Sequence, residues 1–91
     1  MQRPQLNPSV DDSAPTDDAL TEYDELHLIT YLRLLDAEKA GADWQEVAKI
    51  VLHIDPSGEF ERAKRAWESH LARAKWMTER GYQHLLNSAA S

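Results

Sequence analysis

The chain has 91 residues, enough for one domain, and no cysteine, so neither a disulfide nor a thiolate–metal staple can hold it together. Its net charge is −6, which makes approach to a phosphate backbone repulsive and disfavours DNA contact. No apolar run approaches the roughly 18 residues of a membrane span. The N-terminus lacks the apolar core of a signal peptide, so the expected location is the cytoplasm.

Residues 1–20 hold three of the four prolines and few large apolar side chains. They cannot bury enough surface to offset their ordering entropy, and they read as a disordered acidic arm. A helical domain is expected over residues 21–88, followed by a disordered tail at 89–91. The charge is uneven, with six bases against four acids from residue 57 onward.

The first helix is predicted from about Glu22 to Ala40. Thr21 is its N-cap, Glu22, Asp24 and Glu25 suit the positive end of its dipole, and Gly41 ends it. Leu28, Leu32 and Leu35, edged by Ile29 and Tyr31, form one apolar stripe. Tyr23, Leu26 and Leu34 fall on another side. A surface helix normally has one apolar face. The second side is either covered by the C-terminal segment or presented to a partner.

The second helix is predicted from Trp44 to about His53, opened by a capping box of Asp43 and Glu46. Pro56 cannot continue it, and His53 to Gly58 reads as a turn. The third helix is predicted over about residues 59–79. Phe60, Ala63, Trp67, Leu71 and Ala74 form its core face; Arg62, Arg65, Ser69, Arg73, Trp76 and Arg80 lie opposite. Gly81 breaks it, and a short final helix, Tyr82 to Asn87, follows. Trp44, Trp67, Phe60, Leu32, Leu35, Val47, Val51 and Leu71 are expected to be mostly buried.

The chemistry for catalysis is absent. There is no nucleophile motif and no Gly-rich phosphate loop. His27, His53, His70 and His84 are scattered, without metal-ligand spacing, and read as surface or cap residues. No catalytic, cofactor-binding or metal-binding residue is expected, and no enzyme. A helix, a short helix, a turn and a long helix follow the order of a helix-turn-helix unit, with a turn longer than usual. Arg62, Arg65, Arg73 and Arg80 are the candidate DNA-binding residues of that long helix. Their alternative is a solvated face paired with Glu59, Glu61 and Glu68. Trp76 on the same side is better suited to anchoring a protein partner.

The stretches Tyr31-Leu32-Arg33-Leu34-Leu35-Asp36 and Gly41-Ala42-Asp43-Trp44-Gln45-Glu46-Val47-Ala48 carry a family resemblance. So do the basic helix around Trp67 and the closing Arg80-Gly81-Tyr82-Gln83-His84-Leu85-Leu86. Over roughly residues 22–87 the chain resembles the proteobacterial domain-of-unknown-function family 2285 of mobile genetic elements. Gln83 and His84 stand where that family's closing motif has two arginines. The resemblance implies an all-α fold, a helix-turn-helix variant with an extended turn plus a short C-terminal helix. Its short, acidic, stand-alone members act as antiactivators. The implied function is therefore binding to a transcriptional activator, of the FseA type or the quorum-sensing TraR type, to block transfer of an integrative and conjugative element. The implied partner is a protein, with no nucleic acid, membrane or small-molecule substrate. Tyr23, Leu26 and Leu34, with Trp76 and Tyr82, are the candidate docking residues. The alternative is a sequence-specific DNA-binding regulator using helix 59–79.

Overall fold

The computed structural model describes residues 3–81, with side chains through Glu79. Four α-helices follow in order: α1 Glu22–Leu26, α2 Leu28–Lys39, α3 Trp44–Ile50 and α4 Phe60–Trp76. A π-helical turn, Met77–Gly81, extends α4. No strand occurs among the described residues, in keeping with the all-helical expectation. The short helix expected over Tyr82 to Asn87 lies outside them. α4 is the central element and packs against both α2 and α3.

Local chemistry explains the boundaries. The Thr21 hydroxyl accepts from the Asp24 amide at 3.1 Å, and the Asp24 carboxylate accepts from the Thr21 amide at 2.9 Å. This reciprocal capping box starts α1. The single helix expected over residues 22–40 is interrupted at His27, whose backbone (φ −104, ψ 16) leaves the helical region. Its ring explains the break: both nitrogens lie 2.7 Å from carbonyl oxygens, one of Tyr23 and one of Ser9 in the arm. Gly41, at φ 74, ends α2 as expected. Asp43 precedes α3 but makes no side-chain cap bond, so the expected Asp43–Glu46 box does not form. α3 stops at Ile50, short of His53. His53 adopts φ 61 and turns the chain so that the Ile54 amide returns to the Ala48 carbonyl.

The phase of α2 differs from the apolar reading. Thr30, Tyr31 and Leu34 face the core, while Leu32 is 61% exposed. Leu28, Leu32 and Leu35 instead line an open apolar groove of about 220 Å³ with Ala74 and Met77. The reason is polar: the Tyr31 hydroxyl donates to buried Asp24 at 2.7 Å, and that bond rotates the helix. Leu34 joins Val47, Ala48, Leu52, Ile54 and Leu71 in the core. Ala48, Ala63, Ala66 and Ala74 have no exposed surface, which lets the helices approach closely. Trp44, Trp67, Leu35 and Val51 are only half-buried. Phe60, expected inside, is 46% exposed, with its ring edge-on to Trp44 at 5.4 Å.

Residues 3–20 form no helix or strand, and they lie against the helices. The Gln5 amide donates to the Leu26 carbonyl, and the Asp11 amide to the Tyr23 hydroxyl. The Ala14 amide donates to Ser69 Oγ at 3.0 Å, and Ala14 itself is buried. Side chains of α1 and α4 thus satisfy backbone groups that the arm's own sequence leaves open, which composition alone does not disclose.

Candidate nucleic-acid interface

α4 has three sides. One is core, carried by Ala63, Ala66, His70, Leu71 and Ala74. A second lies under the arm and carries Arg62, Ser69 and Arg73. The third is open to solvent and carries Glu61, Lys64, Arg65, Glu68, Ala72 and Lys75. The first and third sides follow from helical periodicity. The second depends on where the arm runs.

At the arm's far mooring, Arg73 is 4% exposed and grips Asp24, which is 0% exposed. Its Nη2 lies 2.6 Å from Asp24 Oδ2, and its Nε donates to Oδ1 at 2.9 Å. The same guanidinium donates to the Asp17 and Ala19 carbonyls of the arm and stacks on the Trp76 ring at 3.9 Å. Burial alone would raise the Asp24 pKa. Hydrogen bonds from Arg73, Thr21 and Tyr31 outweigh that and hold it below the usual carboxylate value. The bond to Asp24 pushes Arg73 up in turn, and burial beside Asp24 pushes Tyr31 up. Among the described residues every buried side-chain polar atom has a hydrogen-bond partner.

A second buried group joins α1 to α4. His70 has no exposed surface, and burial lowers its pKa, favouring the neutral ring. Its Nδ1 donates to the Ala66 carbonyl at 2.7 Å, leaving Nε2 to accept from the Tyr23 hydroxyl. Burial pushes that hydroxyl's pKa up to about 12. The Tyr23 ring stacks on His27 at 3.8 Å. His70 is therefore an interior residue of α4, not the surface or cap residue expected, while His27 is a cap residue, between α1 and α2, that is itself buried. Asp24, His27 and His70 were missed because each is buried for its polar bonds; only the Thr21–Asp24 spacing signalled one of them.

The expected DNA-binding arginines separate. Arg65 stands on the open side among Glu61, Lys64 and Glu68. Arg62 is exposed but paired with Asp12 at 2.6 Å and Glu59 at 3.0 Å. Arg73 is internal, because its guanidinium is consumed by Asp24 and the arm. The side chain of Arg80 lies outside the described residues. Lys64 was not singled out in the sequence, though its spacing from Glu61 and Glu68 places it on the same side. Of the expected docking residues, Leu34 is 1% exposed and sits in the core, where burying it completes the α2–α4 contact. Tyr23 and Leu26 are half-buried, Trp76 lies against Arg73, and Tyr82 is outside the described residues.

On the open side, Glu61, Lys64, Arg65 and Glu68 present two cations and two carboxylates, a pattern able to bond phosphates and base edges. Arg65 and Lys64 make no ion pair among the described residues, whereas Lys75 pairs with Glu38 at 3.0 Å. No metal-holding group of histidines and carboxylates occurs among the described residues. No described helix is long and apolar enough to cross a membrane.

A family model described as "T6SS, Transcription factor, DNA binding domain" matches residues 3–87. No curated protein matches the chain. The family match corrects the assignment to family 2285 and its antiactivators. It also overturns the expected partners: a DNA-binding description points to nucleic acid, not to an FseA-like or TraR-like activator. The quorum-sensing and conjugative-element readings fall with it. The net charge of −6 is an average over the whole chain, whereas the open side of α4 carries charges of both signs. The match reaches back through the arm and forward past α4, and the chain belongs to the RovC family of transcription-factor DNA-binding domains.

Proposed function

We propose that this chain is the sequence-specific DNA-binding domain of a cytoplasmic transcriptional regulator, acting by binding and not by catalysis. The open side of α4 meets duplex DNA, with Lys64 and Arg65 as its principal contacts and Glu61 and Glu68 beside them. The family match over residues 3–87 carries this reading. The order α3, extended turn, α4 supports it, because it leaves one long side of α4 uncovered.

The charge pattern shapes the expected behaviour. With Lys75 paired to Glu38, the two remaining cations and two acids on this side give little net attraction to phosphate, so non-specific affinity is low. Specific contacts must then supply most of the discrimination: arginine or lysine with guanine, and a carboxylate accepting from cytosine. Selection of bound duplexes from a random-sequence pool tests this. An enriched motif is expected. Equal recovery of all sequences at every salt concentration would contradict the proposal.

A further inference from the structure

We propose that the acidic arm is a built-in anionic competitor for DNA, with Asp12 occupying on Arg62 the position that a phosphate would take. The inference rests on the DNA-binding reading and concerns the regulation of that same helix.

The arm runs along α4 in the same direction as the helix. Asp12 meets Arg62, Ala14 meets Ser69, and Asp17 and Ala19 meet Arg73. It is moored at two buried side chains, His27 against the Ser9 carbonyl and Arg73 against the Asp17 and Ala19 carbonyls. Both moorings use arm backbone, so neither needs the arm's carboxylates. Those carboxylates, on Asp11, Asp12, Asp17 and Asp18, are exposed along the path.

Arg62 is the cation that this arrangement takes out of use. Its Nε lies 2.6 Å from Asp12, its Nη1 bonds both Glu59 oxygens at 3.0 Å, and its side chain remains 42% exposed. The bonds to Asp12 and Glu59 raise its pKa, so it stays charged throughout. An exposed ion pair is weak and screened by salt. A phosphate can therefore displace Asp12 by a side-chain rotation, while the buried moorings keep the arm in place. The arm sets a threshold: a duplex must offer enough contact on the open side of α4 to exchange its phosphate for Asp12. Non-specific DNA is penalised most, because it has little else to offer.

The test is fluorescence anisotropy of the full chain with random-sequence duplex DNA, across a range of salt. The variant Asp11→Asn with Asp12→Asn is compared with wild type and with Asp17→Asn plus Asp18→Asn. Circular dichroism and melting confirm that each variant is folded. The first variant is expected to bind about fivefold tighter, and its log K against log salt to steepen by about 0.9 for the one cation freed. Adding Arg62→Gln to it is expected to return affinity and slope to wild-type values. Binding by this variant alone, with none by wild type, also supports the proposal. Equal binding by it and wild type overturns the competitor and leaves the DNA-binding reading standing. An equal gain from the Asp17 and Asp18 changes also overturns it, since only general charge would then be at work. If no form binds random-sequence duplex even at low salt, the competitor is overturned, while the DNA-binding reading is decided separately by the selection from the random-sequence pool.

Discussion

Arg62 and Arg73 lie on the same side of α4, each facing an aspartate, and they do opposite things. Arg73 and Asp24 are almost wholly excluded from water; hydrogen bonds from Thr21 and Tyr31 to Asp24, and from Arg73 to two carbonyls of the arm, complete the site. Arg62 and Asp12 are about half-exposed, and among the described residues only Glu59 adds to them. Burial makes the first pair a fixed part of the fold, since removing one partner strands a charge away from water. Exposure leaves the second pair exchangeable, since water or another anion can replace either partner. An arginine's place on a helix wheel therefore does not say whether it is available to a ligand.

The largest expected effect breaks the buried pair. Arg73→Ala leaves Asp24 unpaired and releases two arm carbonyls, and should cost roughly 3–5 kcal/mol in urea unfolding. A loss below about 1 kcal/mol would show that water reaches Asp24 and that the contrast with Arg62 is false. Next comes the core beside that pair. Leu34→Ala should cost about 2–5 kcal/mol, while Leu32→Ala on the open groove should stay within about 1 kcal/mol. Equal losses would mean that α2 has the phase its apolar stripe suggests.

Acid sharpens the comparison further. The folded state holds the Asp24 pKa below its ordinary 3.8. As pH falls past about 4, the unfolded chain takes up a proton that the folded chain refuses. This contribution is thus complete above the unfolded value and is lost as pH falls through the folded one. Asp24→Asn should be less stable at neutral pH and flatter in stability against pH below about 4. The smallest effect belongs to the exposed pair: Arg62→Gln should change stability by less than about 1 kcal/mol, read from the same urea curves.

What the sequence disclosed follows the same division. Helix-period apolar residues and punctuating glycines gave the helical class, the Thr21 start, the Gly41 stop and the alternation along α4. Buried polar groups produced the misreadings. The phase of α2 is set by Tyr31 reaching Asp24, a contact between residues that periodicity treats independently. Arg73 reads as a surface cation because its partner lies forty-nine positions away. The arm reads as free because its anchors are backbone carbonyls and amides, which carry no side-chain signature. Of the candidate interface, Arg65 was legible from spacing alone, whereas the covering of Arg62 needed the arm's path.

The central claim is that the open side of α4 binds DNA, and the direct measurement is affinity for a duplex enriched from the random pool. Wild type is compared with Lys64→Ala and Arg65→Ala, each confirmed folded by circular dichroism. The account predicts that each substitution weakens binding by about 1–3 kcal/mol, with a shallower dependence on salt for whichever cation meets phosphate. Wild-type affinity in both variants would contradict it.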